Sequence, residues 1–297
     1  MNTWVVTHDT AVATDLIAGA RALASSVNAI SLGAEAAPGA DLTLVAPAPA
    51  ADELLEGYAA AIAEELTARQ AQVVLFGADI QSRLLAGLVA SRLQTSVRNI
   101  TGAAPDWATI TRTVYGGLAV ATDAIGAATV VLVVGPGALG EASAPGVLGE
   151  VKAWAAASAS PGLQVVETRS KTQQVVNLAA AKRVVGVGRG FGAEADLGLA
   201  RDLGAKLDAE VACSRPIAEG EHWLPVERYL GVSGAVIRPD LYLAVGISGQ
   251  VQHLVGINRS KVIVAINKDK NAPIFAAADY GIVGDLYEVL PALIAAL

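Results

Sequence analysis

The polar groups able to hold a ligand or shift charge gather in three stretches of the chain's carboxyl-terminal part. The first is Gly186-Val187-Gly188-Arg189-Gly190-Phe191-Gly192-Ala193. Glycines there let backbone N–H groups approach an anion, and the helix that follows would add its positive end. Gly188, Gly190 and Ala193 fit the G-x-G-x-x-A spacing of a dinucleotide-binding turn, although a plain strand-to-helix turn would want the same glycines. Arg189 favours the anion reading, because a guanidinium among exposed amides suits a phosphate better than a bare turn. The second stretch is Cys213-Ser214-Arg215-Pro216, at the end of an apolar run. Cys213 reads as packing, since no neighbouring His or Lys would lower its pKa. Ser214 and Arg215 project from the strand end, where ligands dock in open α/β sheets.

The third stretch is the richest. Leu241-Tyr242-Leu243-Ala244-Val245 is a buried strand, Gly246-Ile247-Ser248-Gly249 a turn, and the helix that follows offers Gln252 and His253 close to Ser248. A hydroxyl, an amide, an imidazole and unpaired N–H groups would meet at one positive helix end. A second buried strand, Val262 to Ile266, leads to Asn267.

The elements that must position these groups alternate along the chain. In the first half, Trp4 to Val6, Val27 to Ser31, Leu42 to Val45 and Val73 to Gly77 read as strands. Ala11 to Leu23, Ala51 to Gln70 and Gln81 to Leu93 read as helices. Such alternation implies a parallel sheet covered on both faces. Ala108 to Val134 changes to three β-rich pieces, among them Thr109 to Val114 and Thr129 to Val134, and predicts an added antiparallel pair. Alternation resumes with Arg183 to Val187, helix Ala193 to Leu207, strand Glu210 to Cys213, a long loop to Leu230, then Leu241 to Gly246, a helix near Gln250 to Gly256, Val262 to Ile266, Gly281 to Val283 and a terminal helix. The fold class is therefore α/β with two domains. The first is a parallel-sheet, nucleotide-binding-like domain with added antiparallel strands over residues 1–165. A linker spans 166–181, and the second is a doubly wound domain over 182–297.

Composition narrows the chemistry. The 297 residues are 53% hydrophobic and 16% charged, with 30 glycines, 3 histidines and a single cysteine. One cysteine leaves no internal disulfide and no cysteine-rich zinc or iron–sulfur site. A net charge of -7 argues against a general nucleic-acid footprint. Met1 to Val6 shows no secretory signal pattern, and the longest apolar run, Ala127 to Val134, falls well short of the ~20 residues a membrane helix needs. The setting expected is cytoplasmic, with no membrane insertion. His8 and Asp9 read as a helix cap, Lys268-Asp269-Lys270 as a solvated turn, and His222 with Trp223 as part of the long loop.

Leu241 to Asn267 resembles the signature L-Y-x-A-x-G-I-S-G-x-x-Q-H-x-x-G, ending in A-I-N, of the electron transfer flavoprotein α subunit. Val187 to Gly190, Ser214-Arg215, Asn267 to Asp269, Ala272 to Phe275 and Ala278 to Gly281 resemble the same family in its order, and Arg228 to Gly234 is similar to its bacterial FixB-type branch. The likeness is strong from Lys182 onward and weaker but collinear before it, as in Arg112 to Gly117 and Gly77 to Leu93. By that resemblance the second domain binds FAD. Arg189 would lie by its phosphates and Ser214 and Arg215 near the isoalloxazine. Leu230, Gly231, Val232 and Ser233 would reach the ring edge or ribityl chain. Ser248, Gly249, Gln250, Val251, Gln252 and His253 would line flavin and diphosphate, His253 near the pyrimidine carbonyl. Asn267, Asp285 and Leu286 would hold the adenosine end. Mitochondrial-type members carry Gly-Gln-Thr-Gly where this chain has Gly231-Val232-Ser233-Gly234, which restricts any hydrogen bond at Val232 to its backbone.

The resemblance implies a redox carrier rather than an enzyme, without catalytic side chains or metal. It also implies a heterodimer with a β subunit, electron donors of the acyl-CoA dehydrogenase type, and a quinone reductase or another redox protein as acceptor. Two rivals stay open at this point. One is a nicotinamide-dependent dehydrogenase using the Gly186 to Ala193 turn, with Asp208 or Glu210 spaced to meet a ribose. The other is a non-redox nucleotide-binding scaffold.

Overall fold

A computed structural model of the chain describes residues 1–126, 128–135, 137–140, 146–156, 165–169 and 177–297. The chain divides into two compact units, Met1–Thr113 with Val120–Ser170, and Val114–Ala119 with Lys171–Leu297. Of the expected linker, residues 170–176 lie outside the described residues, as does most of the low-complexity stretch before it.

The first unit begins with β1 (Asn2–Thr7), α1 (Thr10–Arg21), β2 (Ser26–Leu32), β3 (Leu42–Ala46), α2 (Ala59–Ala68), β4 (Val73–Gly77) and α3 (Ile80–Arg92). β5 (Val97–Ile100), β6 (Gly102–Ala103), β7 (Thr109–Val114), β8 (Ala119–Ala124), β9 (Val130–Val134) and β10 (Glu150–Ala153) follow. Seven strands form one sheet in the order β10-β3-β2-β1-β4-β9-β5, each pair parallel. β4 and β9 are buried along their whole length, which is why both read as unbroken apolar runs rather than alternating ones. Helices cover both faces over separate apolar clusters, one around Trp4 and Phe76, the other around Ile17 and Trp107.

The β-rich region splits differently from expectation. β7 and β8, within that region, lie side by side in a small three-stranded sheet, whose other strand, β6, precedes the region and pairs antiparallel with β7. The third piece, β9, is instead a central parallel strand between β4 and β5. Its five consecutive buried residues could not serve a half-solvated ribbon. The helix expected over 51–70 also shortens, because a 3₁₀ turn at Leu55–Tyr58 precedes α2. Asp9 is the N-cap of α1, its carboxylate accepting from Ala11 and Val12 N–H. His8 Nε2 lies 3.2 Å from Asp79 Oδ1.

The second unit runs β11 (Arg183–Val187), α4 (Leu197–Leu207), β12 (Glu210–Cys213), β13 (Leu241–Val245) and α5 (Val251–Ile257). It ends with β14 (Val262–Asn267), α6 (Ile274–Ala277), β15 (Tyr280–Val283) and α7 (Leu286–Ala296). Its sheet has the order β12-β11-β13-β14-β15, parallel throughout. α4 starts later than the expected Ala193 because Glu194–Asp196 forms a 3₁₀ turn first. The chain runs one way from β11 to β12 and the other way from β13 to β15. The gap between β11 and β13 is therefore the switch point of a doubly wound sheet, where a crevice opens beyond the carboxyl ends of the strands. Among the described residues, no helix is long and apolar enough to cross a membrane.

Candidate functional site

Register brings the three chemically rich stretches together at that crevice. Val187 pairs with Val245 and with Cys213, and Val245 pairs with Ile266. The residues after these strands therefore emerge side by side along one edge. Gly188 N–H donates to the Val245 carbonyl at 3.0 Å, Gly190 N–H to the Gly246 carbonyl at 2.9 Å, and Ser214 N–H to the Val187 carbonyl at 2.9 Å. The result is a cleft of ≈ 540 Å³ lined by the turn after β11, the start of the loop after β12, Tyr229 to Ser233, the turn after β13, and the ends of β14 and β15.

The floor of the cleft is bare backbone. Gly246 has φ of 62°, a left-handed conformation, and a Cβ on it would lie 2.7 Å from the Gly190 Cα. The two turns touch main chain to main chain, leaving room above them for a ligand. Tyr287 of α7 fixes this arrangement from the side. Its hydroxyl accepts from Gly192 N–H at 2.7 Å and donates to Asp196 at 2.5 Å, and that carboxylate in turn accepts from Ala193 N–H at 3.1 Å.

Three cations line the cleft, Arg189, Arg215 and Lys268. Arg189 is exposed on the glycine turn and makes no hydrogen bond or ion pair among the described residues. Arg215 lines the cleft while its Nε donates to Glu219 at 2.6 Å, which raises its pKa further. His253 is 7% exposed on the wall. Its Nε2 lies 2.9 Å from the Tyr242 hydroxyl, and its Nδ1 is buried without a hydrogen-bond partner. Burial lowers the imidazole pKa to about 4. The Leu230 backbone opposes this, in the sense of a carbonyl facing the ring, but not in hydrogen-bonding geometry. His253 is therefore neutral at pH 7. Cys213 is fully buried, and desolvation pushes its thiol up to about 12, so it is packing rather than a nucleophile.

Of the residues singled out from sequence, Arg189, Ser214 and Arg215 line the cleft together with Leu230, Val232 and Ser233. So do Ser248, Gln250, Gln252, His253, Asn267, Asp285 and Leu286. Gly231, Gly249 and Val251 do not: the two glycines are buried behind it, and Val251 opens α5. Several side chains carry structural duties as well. The amide of Asn267 is engaged at both ends, donating to the Ile247 carbonyl and accepting from Asp269 N–H, each at 2.9 Å. Asp285 is the N-cap of α7 and accepts from Tyr287 N–H. The Val232 N–H donates to the Gln252 carbonyl at 2.9 Å, so only its carbonyl is free to serve a ligand.

Tyr229, Lys268 and Tyr287 also line the cleft. Lys268 reads from sequence as part of a solvated turn, yet its position directly after Asn267 sets it at the rim. Tyr287 could have been found only through its place three residues after Gly284, at the first turn of the helix Asp285 caps.

The chemistry of this donor set fits an elongated anionic nucleotide. Arg189, without an ion pair among the described residues, and the backbone of Gly190 line one part of the cleft, and the ring of His253 lines the wall. Among the described residues, no cluster of three or more His, Cys, Asp or Glu could hold a metal ion. The nicotinamide reading loses its acidic partner. Asp208 follows α4, and Glu210 opens β12 and pairs with Arg228 at 3.3 Å, so both lie at the end of β12 away from the cleft.

Comparison with known proteins agrees with this geometry. Residues 177–258 match the electron transfer flavoprotein FAD-binding domain, and residues 3–159 match the electron transfer flavoprotein domain. The chain is 41% identical to Protein FixB of Escherichia coli O139:H28 over 309 aligned positions, covering 99% of this chain and 97% of that protein. The same figures hold for Protein FixB of Shigella flexneri. It is 44% identical over 247 positions to YdiR of Escherichia coli K12, named provisionally as an electron transfer flavoprotein subunit, covering 82% of this chain and 79% of that protein. These relatives are electron carriers rather than enzymes. The chain belongs to the electron transfer flavoprotein family, as an α-type subunit with an FAD-binding domain.

Proposed function

We propose that this chain holds FAD in the crevice at the switch point of its second sheet and works as one half of a cytoplasmic heterodimer with a β-type subunit. It takes electrons from flavin dehydrogenases of the acyl-CoA dehydrogenase type and passes them to a quinone reductase or another redox acceptor. The observation that carries this reading is the convergence of Arg189, the Gly190–Gly246 backbone contact and the neutral His253 ring on one cleft. The family description and the subunit name of YdiR support the partner.

In this reading the Arg189 guanidinium holds the diphosphate, the N–H groups of Gly188, Gly190, Phe191, Gly192 and Ala193 being engaged within the protein. Asn267, Asp285 and Leu286 border the adenosine end, and Ser214, Arg215 and the Leu230 to Ser233 loop border the ring. Ser248, Gln250, Gln252 and His253 follow the cofactor between them. A bound FAD supplies one- and two-electron chemistry, and the protein's task is to set the charge around it. Arg215 offers a positive charge on the ring side, and where the lining excludes water its pull on added negative charge is stronger. His253 holds a neutral ring against the same region.

Arg189→Ala tests the phosphate assignment. Losing a charge-assisted contact of about 1.5–3 kcal/mol should weaken FAD binding by roughly 10- to 100-fold. Because Arg189 is exposed, unfolding stability should stay within about 0.5 kcal/mol of wild type. Titration of the stripped protein with FAD, followed by flavin fluorescence, reads the first effect. An unchanged affinity would remove Arg189 from the phosphate site.

A further inference from the structure

A glycine turn between a strand and a helix takes a diphosphate on free backbone N–H groups. The turn after β11 keeps these groups for itself. Gly188 and Gly190 N–H donate to the Val245 and Gly246 carbonyls, and Phe191 N–H to the Gly188 carbonyl at 3.2 Å. The N–H groups nearest the following helix are taken by side chains instead. That of Gly192 donates to the Tyr287 hydroxyl oxygen at 2.7 Å, and that of Ala193 to Asp196 Oδ2 at 3.1 Å.

Those side chains come from two elements and hold each other. Asp196 ends the 3₁₀ turn Glu194–Asp196 and reaches back to the N–H that precedes it. Tyr287 stands in the first turn of α7, where the Asp285 cap accepts its N–H at 2.9 Å. Its hydroxyl donates to the same Asp196 oxygen at 2.5 Å. That bond raises the pKa of the phenol, which keeps the hydroxyl a donor. Glycine at 192 admits the phenol, since a Cβ there would lie 3.3 Å from the hydroxyl oxygen and 3.7 Å from Asp196 Oδ2. A phenolic oxygen and a carboxylate thus fill the acceptor positions that diphosphate oxygens would take. Glu194, exposed in the same turn, adds a second negative charge.

We infer that Tyr287 and Asp196 close the glycine turn to diphosphates and so set which dinucleotide the cleft accepts. A nicotinamide dinucleotide seated in the usual way of such turns would need the N–H groups of Gly192 and Ala193 and would meet the Asp196 charge. A dinucleotide whose diphosphate is held by the Arg189 guanidinium needs neither. That FAD is this ligand rests on the reading that FAD occupies the cleft, whereas the closure of the turn stands on the bonds of Tyr287 and Asp196 alone.

The test titrates inorganic pyrophosphate into the full-length, FAD-free chain labelled with ¹⁵N. Arg189→Ala is present throughout, so that the guanidinium does not draw the probe to the turn. Pyrophosphate should then leave the Gly192 and Ala193 amide resonances in place. Adding Asp196→Ala and Tyr287→Phe frees both N–H groups. The two resonances should now shift saturably, with an affinity at least about tenfold higher, the equivalent of one charge-assisted hydrogen bond. Saturable shifts before those two substitutions would overturn the inference, with the closing pair untouched. So would the absence of shifts after them, in a chain whose β11 and β13 amides keep their exchange protection. Tyr287→Phe without Asp196→Ala, read at Gly192, takes their place if the combined variant does not fold. A chain that meets these expectations but takes up no FAD, with Arg189 in place, would instead overturn the cofactor reading and leave the closed turn standing.

Discussion

Gly246→Ala should give a chain that loses FAD on purification and whose second unit is destabilised by about 2–5 kcal/mol. Two independent effects add. An alanine at φ of 62° pays the left-handed penalty of roughly 1–2 kcal/mol. Its methyl would also lie 2.7 Å from the Gly190 Cα and 3.1 Å from the Gly190 nitrogen. Those are backbone atoms, so no rotamer can move aside, and overpacking of this kind costs about 1–3 kcal/mol. The only relief is to part the turns after β11 and β13. That breaks the bond from Gly190 N–H to the Gly246 carbonyl and lifts the floor of the cleft. Gly198→Ala is the matched control. Gly198 lies within α4, and a Cβ there meets nothing within 4 Å. Helix propensity then favours alanine by about 0.5–1 kcal/mol. Because the chain has two units, hydrogen exchange at the β13 amides reads this better than a single global unfolding curve. Retention of FAD and of β13 protection in Gly246→Ala would show that the two turns are not the tight floor described here.

The second large effect is a loss of stability in acid centred on one residue. Burial holds His253 to a pKa of about 4, below its ordinary 6.5. The unfolded chain therefore binds a proton more readily than the folded one between those values, and stability rises with pH across that window. The contribution is whole above about pH 6.5, declines as pH falls, and is gone near pH 4. The gap corresponds to about 3 kcal/mol. In FAD-stripped protein, the opening free energy of β13 should fall by about that amount between pH 7 and pH 4 through this residue alone. His253→Gln should flatten the slope over pH 4 to 6.5 by the same amount, though it starts from lower stability at neutral pH. Equal slopes for the two proteins would mean that His253 is not buried in its neutral form.

Much of this was legible in the sequence, and the exceptions share a cause. β4 and β12 have the bounds expected of them, because each is a short apolar run ended by turn residues. The glycine turn, the Ser214-Arg215 pair and the Ser248 to His253 segment each follow a buried strand, and a parallel sheet gathers strand ends at one edge. β10 leaves no signal in the sequence: its four residues are all exposed on a sheet edge and carry no apolar pattern. β9 reads only as one of three β-rich pieces, because an apolar run says that a strand is buried but not which neighbours bury it. Tyr287 acts on a turn 95 residues earlier, and the Tyr242 hydroxyl meets a histidine on another element. Local spacing holds no trace of such partners. Lys268 has the composition of a solvated turn, and only the end of β14 puts it on the rim.

The most direct test is to purify the chain with a β-type partner, extract the bound cofactor, and reduce the complex stepwise while recording its visible absorbance. The cleft described here predicts FAD in the extract, electrons accepted in separate steps, and loss of that flavin when the complex carries Gly246→Ala. A nicotinamide dinucleotide in the extract, or a colourless complex that takes up no FAD when it is supplied, would contradict it.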